Sequence, residues 1–418
     1  MKKGIKLSKI IKVPWAAWRE PEYINLTFPD SWEVKKCQMS GAEAQELSDD
    51  AIRQSILNPI GTSRLSDMAL EKEKVVIAID DMTRTTQISR IFPYILEELE
   101  KANISKDQIK IIAAVGAHRP MNRLDFILKL GEDIVNTIEI ENHHPYENLT
   151  NVGNSSKGTP IDVNSTYLNA DLKIAIGGVI PHPLAGFGGG AKIVLPGVCG
   201  IRTLEANHAA GMRGEGAGIG RMTDIRRDIE EVVEKVGLDF SVNVLLNEKG
   251  ELAHIFSGHF KDAHRKAMEK AAQFYSTKVT LNNQICFFNS FPEDSELNQA
   301  QFKPFNFLMT APNNMLDRRG AIVIMTSSYE GRGYHSLLSE TGSKLYRNLI
   351  ESVVWRAFVK KRKVYLYSPN VNIYDKNHFF PESVGLFTEW PSLIEQLEND
   401  FQDSPKVAVF PCSIQISE

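Results

Sequence analysis

Cysteine is scarce in this sequence, and the few cysteines lie far apart. The 418 residues contain four of them: Cys37, Cys199, Cys286 and Cys412. No CxxC pair is present, so the sequence offers no zinc ribbon, and four scattered thiols do not make a disulfide framework. We expect all four to be buried, unreactive thiols. Cys199 lies close to a glycine-rich stretch and could instead serve as a soft metal ligand.

Long apolar runs and an excess of basic residues are also absent. No run approaches the roughly 18 apolar residues that a membrane span needs. The net charge of −4 comes from mixed signs, whereas a nucleic-acid-binding protein would show a basic patch. The N-terminus is basic but lacks the apolar region and cleavage site of a secretory signal. We therefore expect a cytoplasmic globular protein with no nucleic-acid and no membrane partner.

Several familiar catalytic motifs are missing as well. The chain has no GxGxxG in a strand–turn–helix context, no Walker A loop, no GxSxG elbow and no HExxH. Their absence argues against hydride transfer to a free dinucleotide, a P-loop nucleotidase, an α/β-hydrolase and a helical zinc protease.

Short apolar runs alternating with helical patterns are what the chain does contain. The first three such runs are 74–79, 108–115 and 138–141. Strands and helices of these lengths predict βαβ units and a parallel sheet. We predict an α/β fold of two domains, each with a mostly parallel sheet flanked by helices, and an active site in the cleft between them. The boundaries are 1–275, possibly completed by 403–418, and 276–402 for a smaller C-terminal domain.

The stretch 174–208 has the densest set of reactive residues. A strand-like run leads to His182, then to the glycines at 186 and 188–190, then to Lys192, and a helical segment carries His208. Such glycines either leave backbone N–H groups open to a phosphate or allow a tight structural crossover. The flanking histidines and lysine favour a site. The later run 211–220 is also rich in glycine and could be a mobile lid or a flexible linker.

Polar residues follow the predicted strands where each one ends. The first strand ends on 80–86, which includes Arg84, the second is followed by His118, and the strand of the glycine-rich stretch by His182. The carboxyl ends of parallel strands meet at one edge of a sheet, where open α/β proteins bind ligands. Two histidines at that edge suit proton transfer or metal binding, and Arg84 suits a carboxylate or phosphate.

Together these motifs resemble the lactate racemase family, whose enzymes use a nickel-pincer nucleotide. The resemblance covers most of residues 25–275 and rests on five ordered segments: Asn58-Pro59-Ile60-Gly61, Asp80-Asp81-Met82-Thr83-Arg84, Gly116-Ala117-His118-Arg119-Pro120, Pro181-His182 through Gly188-Gly189-Gly190-Ala191-Lys192, and Asn207-His208. Ordered motifs at matching intervals are more specific than any one of them alone.

The resemblance implies a role for each matching residue. Lys192 would be tethered to the cofactor, a pyridinium-3,5-bisthiocarboxylic acid mononucleotide that binds Ni through carbon and two sulfurs, and His208 would be the protein's nickel ligand. The turn Gly188, Gly189 and Gly190 would hold the phosphate, and Asp81 and Thr83 would bind the cofactor. His118 and His182 would be the catalytic bases, with Arg84 contacting the substrate or the cofactor. The N-terminal domain would then be the cofactor-binding and catalytic one.

The implied reaction is racemisation or epimerisation of a 2-hydroxy acid. One histidine takes the hydroxyl proton while the C2 hydrogen leaves as a hydride, and the 2-keto acid receives both back on its other face. Family members hold the substrate carboxylate with a Gln and a Lys three apart. Here Gln299 and Lys303 are four apart, so lactate and larger 2-hydroxy acids, including sugar acids, both stay open. The other expected partners are proteins that make the cofactor and insert nickel.

Two other functions fit the same residues. A metal-dependent hydrolase or lyase would use the histidines around zinc, with a bound water as nucleophile. A non-catalytic nucleotide carrier would use the glycine turn for phosphate only, and it has no need of two histidines at strand ends.

Overall fold

The chain folds into two compact units, each with its own sheet. In the computed structural model the described residues are 7–212, 219–337, 355, 358–359, 361–401 and 404–418. The central unit comprises Glu43–Phe274 and His335–Leu345. The terminal unit comprises Met1–Ala42, Tyr275–Tyr334 and Tyr346–Glu418. Within the described residues no helix has the length and apolar character needed to cross a membrane.

Strands β1 to β3 belong to the terminal unit, and β4 to β13 belong to the central unit. The first three are β1 (Leu7–Pro14), β2 (Tyr23–Pro29) and β3 (Glu33–Lys36). The strands of the central unit are β4 (Val75–Ile79), β5 (Ile109–Ala113), β6 (Glu139–Asn142), β7 (Leu149–Asn154), β8 (Pro160–Asn164), β9 (Leu172–Gly178), β10 (Pro181–His182), β11 (Gly186–Phe187), β12 (Phe240–Leu246) and β13 (Leu252–Gly258).

The central sheet is parallel except at one edge. Its strand order is β13-β12-β9-β4-β5-β6, and only the β12–β13 pair is antiparallel. All five residues of β4 are buried, as expected for an apolar strand covered on both faces. The sheet confirms the predicted strands at 74–79, 108–115 and 138–141, with ends that differ by a few residues.

Nine helices accompany the strands in the described part of the central unit. They are α1 (Asp49–Leu57), α2 (Leu65–Met68), α3 (Phe92–Lys101), α4 (Arg123–Leu130), α5 (Glu132–Thr137), α6 (Ser165–Leu168), α7 (Ile201–Met212), α8 (Asp224–Val236) and α9 (Asp262–Phe274). Apolar faces of the sheet and helices meet in one core, in which Val76, Ala175 and Val232 are buried. The glycine-rich run 211–220 lies mostly outside the described residues.

The terminal unit is built on a second, fully parallel sheet of order β18-β17-β16-β15-β19-β3. Its later strands are β14 (Ser276–Thr277), β15 (Asn283–Asn289), β16 (Leu316–Met325), β17 (Lys363–Tyr367), β18 (Gly385–Phe387), β19 (Lys406–Phe410) and β20 (Ile416–Ser417). Its described helices are α10 (Leu297–Ala300), α11 (Lys303–Leu308), α12 (Ile373–Phe379) and α13 (Trp390–Asp400).

The compact units differ from the predicted boundaries at both ends of the chain. Strand β3 pairs with β19 in the second sheet, so the first 42 residues join the terminal unit. Strand β19 also pairs with β15, and it therefore does not complete the central sheet as the sequence left possible. The physical reason is pairing between segments about 370 residues apart, which no local pattern encodes.

The four cysteines are buried, as expected, and none of them forms a disulfide. Burial raises the pKa values of the Cys199 and Cys286 thiols. A buried thiol with a raised pKa is a poor nucleophile and a poor metal ligand, so packing accounts for both residues.

Candidate active site

The order of the central strands places the candidate site between β4 and β9. Strands β5 and β6 lie on one side of β4 in the sheet, and β9 and β12 lie on the other side. Ligands bind outside the carboxyl ends of the strands where the order reverses in this way. Here those ends carry the loop 80–86 and the segment leading to His182. The Gly178 N–H donates to Asp80 Oδ2 at 2.8 Å and joins the two loops.

A buried lysine supports the loop that follows β4. Lys129, on α4, is fully buried and lies 2.8 Å from Asp80 Oδ1. Its ammonium also donates to the carbonyl oxygens of Asp81 and Arg84, at 2.9 Å each. These bonds fix the backbone of the residues that face the site. Lys129 was not predicted from the sequence, although its position three residues after Phe126 puts it on the buried face of the helix.

His118 forms a hydrogen-bonded pair with Asp81. Its Nδ1 lies 2.7 Å from Asp81 Oδ2, while Asp81 Oδ1 accepts bonds from the Thr83 N–H (2.8 Å) and hydroxyl (2.5 Å). Burial raises the pKa of Asp81, but His118, Arg84 and Thr83 together hold it well below its usual range. An ionised Asp81 therefore accepts a hydrogen bond from the Nδ1–H of His118, and Nε2 is the nitrogen able to accept a proton.

The loop after β4 contains a hydrogen-bond network among Asp81, Thr83 and Arg84 that the sequence did not predict. Besides donating to Asp81, Thr83 accepts two hydrogen bonds from Arg84 Nη1, at its hydroxyl oxygen (2.9 Å) and at its carbonyl oxygen (3.0 Å). The structure makes this loop the support of His118, and the cofactor-binding role of Asp81 and Thr83 stays a prediction.

The Nδ1 atom of His182 accepts hydrogen bonds, whereas that of His118 donates one. His182 lies on β10, and its Nδ1 accepts the N–H groups of Leu184 and Ala185 at 3.2 and 3.1 Å. The neutral ring therefore carries its hydrogen on Nε2. The preceding strand β9 and the strand before His118, β5, both pair with β4. These two strands are about 10 Å apart, since neighbouring strands are spaced by about 4.8 Å, and the two histidines follow them on either side of the switch point.

His208 presents one ring nitrogen and uses the other within its own helix. Its Nδ1 donates to the Leu204 carbonyl oxygen at 2.9 Å, so Nε2 carries the lone pair that a metal would take. Burial, then the charges of Lys192 and His118, lower the pKa of His208 to about 4. The charges of both His118 and Lys192 thus act on the His208 imidazole.

A buried carboxylate fixes the helix that carries His208. Asn207 donates to Asp228 Oδ2 at 2.7 Å. Asp228, on α8, also accepts the Ser155 hydroxyl at 2.5 Å and the Thr159 hydroxyl at 2.8 Å. Three donors from two segments, α7 and the loop between β7 and β8, meet at this carboxylate and hold α7 in place. The sequence analysis did not identify Asp228.

The glycine turn is required by close packing. Gly189 and Gly190 have φ of +70° and +54°, which favours glycine. A Cβ at Gly189 would lie 2.6 Å from Val179, and one at Gly190 would lie 2.8 Å from the His264 ring. Close packing and positive φ therefore explain why positions 189 and 190 are glycine, with no need for a ligand. Phosphate binding by Gly188, Gly189 and Gly190 stays a prediction.

Two buried side chains hold the turn through its carbonyl groups. Arg226, fully buried on α8, donates to the carbonyl oxygens of Ala185 at 3.3 Å, of Gly188 and Gly189 at 3.4 Å each, and of Phe187. His264 Nε2 lies 2.7 Å from the Gly188 carbonyl oxygen. The structure buries His264 against the turn.

Comparison with known proteins adds a family to this geometry. Residues 20–220 match the model of the lactate racemase N-terminal domain. The lactate racemase of Thermoanaerobacterium thermosaccharolyticum is 30% identical over 291 residues, which are 68% of this chain and 67% of that protein. The chain belongs to the lactate racemase family. The lactate racemase of Lactiplantibacillus plantarum is 29% identical over 299 residues, 69% of each chain. As a member of this racemase family, the protein is an isomerase.

Solved structures show the same fold. The lactate racemase apoprotein from T. thermosaccharolyticum has a TM-score of 0.75 at 22% identity, over 98% of this chain and 100% of that one. A protein from Thermotoga maritima has a TM-score of 0.66 at 19% identity, over 90% and 99%. Both likenesses concern the fold, a mixed α/β architecture with largely parallel sheets flanked by helices, and they confirm the predicted fold class.

The two residues expected to hold a substrate carboxylate lie in the terminal unit of this lactate racemase family member. Gln299 is on α10, and Lys303 begins α11. The Lys303 ammonium forms a close ion pair with Glu293, which is buried. A lysine whose charge is already paired is a weaker anion-binding group than the sequence implied. The catalytic role of Gln299 and Lys303 stays a prediction.

Replacing Arg226 by methionine tests how strongly the glycine turn depends on it. We expect the free energy of unfolding to fall by about 2–3 kcal/mol, because several buried carbonyl groups lose their donor. Arg227, the next residue, is exposed and pairs with Asp224 at 2.7 Å. Its replacement by methionine should change the same free energy by less than about 0.5 kcal/mol. Urea unfolding of both variants measures the difference, and equal effects would contradict the assigned role of Arg226.

Proposed function

We propose that this protein interconverts the enantiomers of lactate or of a related 2-hydroxy acid. The observation that carries the proposal is the Asp81–His118 pair at the switch point of the central sheet. The charges of His118 and Lys192 both act on the His208 imidazole. The two similar proteins named above are lactate racemases, which supports lactate as the first substrate to test.

The residues present fit a nickel-pincer nucleotide. Lys192 supplies a primary amine for the tether, and His208 supplies an imidazole whose Nδ1 is engaged by Leu204, so that Nε2 can bind nickel. Imidazole nitrogen suits nickel, and a metal bound mainly by an organic group needs a single protein ligand. Among the described residues no three His, Cys, Asp or Glu side chains are grouped to hold a metal. When bound, the cofactor would accept the C2 hydrogen as a hydride and return it.

His118 would remove the hydroxyl proton of the substrate. Asp81 orients the ring through Nδ1, so Nε2 accepts the proton and the adjacent carboxylate stabilises the imidazolium that forms. Loss of this proton is what allows the C2 hydrogen to leave as a hydride, because the oxygen then becomes a carbonyl oxygen. Arg84, which is partly exposed beside Thr83, is the nearby cation for the substrate carboxylate or the cofactor phosphate.

His182 would serve the opposite face of the substrate. Its Nδ1 already accepts two backbone N–H groups. The imidazolium form carries hydrogens on both nitrogens, and the one on Nδ1 would face these donors, which favours transfer of the Nε2 hydrogen to the substrate oxygen. His118 is thus arranged to accept a proton and His182 to donate one. In either direction of the reaction, His182 loses its bonds from Leu184 and Ala185 for as long as it holds the extra proton.

The test is a racemisation assay on protein produced together with the proteins that make the cofactor and insert nickel. Either enantiomer of lactate should yield the mixture of both, as measured by chiral chromatography. A panel of larger 2-hydroxy acids, including sugar acids, identifies the preferred substrate. Activity restored by zinc alone, in protein that mass spectrometry shows to lack an organic group, would contradict the proposal and support a zinc hydrolase or lyase.

A further inference from the structure

Another imidazole lies against the proposed base. The His335 ring centroid is 5.0 Å from that of His118, with the ring planes at 64°. The backbones of the two residues also form an antiparallel bridge. His335 belongs to the central unit and is only 6% exposed. Although it is more than 200 residues from His118 in the sequence, it is therefore one of the closest neighbours of the base.

The segment that carries His335 is firmly attached to the loop that carries His118. The N–H and hydroxyl of Ser336 both donate to the Ala117 carbonyl oxygen, at 2.8 and 3.2 Å. Leu337 is buried in the core of the central unit, and its N–H donates to His335 Nδ1 at 3.2 Å. These contacts fix the backbone on both sides of the ring and also one of its nitrogens. The ring is therefore a rigid neighbour of His118.

We propose that His335 is a positioning residue that holds the His118 ring at the angle needed for proton transfer. The bond to Asp81 restrains one atom of the His118 ring, Nδ1. The buried His335 ring, packed across from it, limits tilting of the His118 ring about that contact. The proposal rests on the function proposed above, in which His118 moves the hydroxyl proton.

The packing of a flat, uncharged ring is the property that matters in this proposal. Burial, then the neighbouring His118 and His208, lower the pKa of His335 well below its usual value, so the ring is neutral. Phenylalanine reproduces a flat, neutral ring at this position, whereas alanine removes it. The two variants therefore separate ring packing from the polar atoms of the imidazole.

The experiment compares His335→Ala and His335→Phe with His144→Ala, a control at an exposed histidine. In the holoenzyme we expect His335→Ala to lower kcat by roughly 10- to 100-fold with KM changed by less than about threefold, because the base is misaligned while substrate binding is kept. His335→Phe should keep kcat within about threefold of the parent. His144→Ala should match the parent.

A second measurement reports on His118 without turnover. In the cofactor-free full chain, the rate at which diethyl pyrocarbonate modifies His118, followed by mass spectrometry, should rise in His335→Ala and stay near the parental rate in His335→Phe and His144→Ala. Thermal unfolding checks that each variant is folded.

The proposal is overturned if folded His335→Ala keeps the parental kcat and the parental labelling rate of His118. It is equally overturned if folded His335→Phe is as impaired as His335→Ala, because the polar atoms of His335 would then be what matters. A parent that lacks racemase activity would refute the proposed function, while the labelling rates would still decide whether His335 positions His118.

Discussion

Replacing His118 by glutamine is expected to lower kcat for lactate racemisation by roughly 10²–10⁴-fold, the usual effect of losing a general acid–base group. The reason is local: His118 is the imidazole whose Nδ1 is engaged by an ionised carboxylate, so its Nε2 is the nitrogen prepared to take a proton. KM should change much less than kcat, because the same ring is not expected to hold the substrate carboxylate.

Asp81→Asn is the companion variant. An asparagine at position 81 can donate to Nδ1 and reverse the tautomer of His118, so kcat should again fall by roughly 10²-fold or more. His144→Gln, at an exposed histidine, is the matched control and should behave as the parent. Steady-state kinetics with chiral detection measures all three. A folded His118→Gln enzyme that keeps more than about a tenth of the parental kcat would show that His118 is not the base.

Replacing Lys192 is expected to abolish both cofactor attachment and activity. Lys192 lies in the short helical turn Gly190–Ile193, and its charge acts on the proposed nickel ligand His208. The parent should carry an added covalent mass on the peptide that contains residue 192. Lys192→Ala should carry none, and its racemisation should fall to background. Intact-protein and peptide mass spectrometry measure the attachment directly.

Lys192→Arg separates the tether from the charge. Arginine keeps a positive charge next to His208 but replaces the primary amine, so it should fail in the same way as alanine. Lys249→Ala, at an exposed lysine in a turn, should retain the added mass and the activity. A Lys192→Ala protein that still carries the covalent mass would place the attachment elsewhere and contradict the role of Lys192.

Local patterns of the sequence predicted the first three strands of the central sheet. The runs 74–79, 108–115 and 138–141 each coincide with a strand of that sheet. The unit to which a strand belongs was not predictable, because β3 and β19 pair across most of the chain. The short, polar sequence of β3 contains nothing that selects its partner.

The site residues that could be predicted from the sequence are those that directly follow strands. His118 and His182 follow strands on either side of β4, as the rule for parallel sheets led us to expect. The buried charges were missed, because arginine and lysine on an amphipathic helix are ordinarily placed on its exposed face. Arg226 and Arg227 are adjacent on α8, yet only Arg226 is buried. Arg226 lies three residues before the buried Ile229 and seven before the buried Val233, which puts it on their face of the helix. His335 was missed because its contact with His118 is entirely non-local.

The most direct test of the account is where solvent deuterium appears when the holoenzyme racemises lactate in D₂O, read by NMR at C2 of the newly formed enantiomer. His118 and His182 are proposed to handle the hydroxyl proton alone, while the C2 hydrogen leaves and returns as a hydride that does not exchange with water. The account therefore predicts protium at C2 of the product. Deuterium at C2 would contradict it, because the histidines would then be removing the C2 hydrogen as a proton.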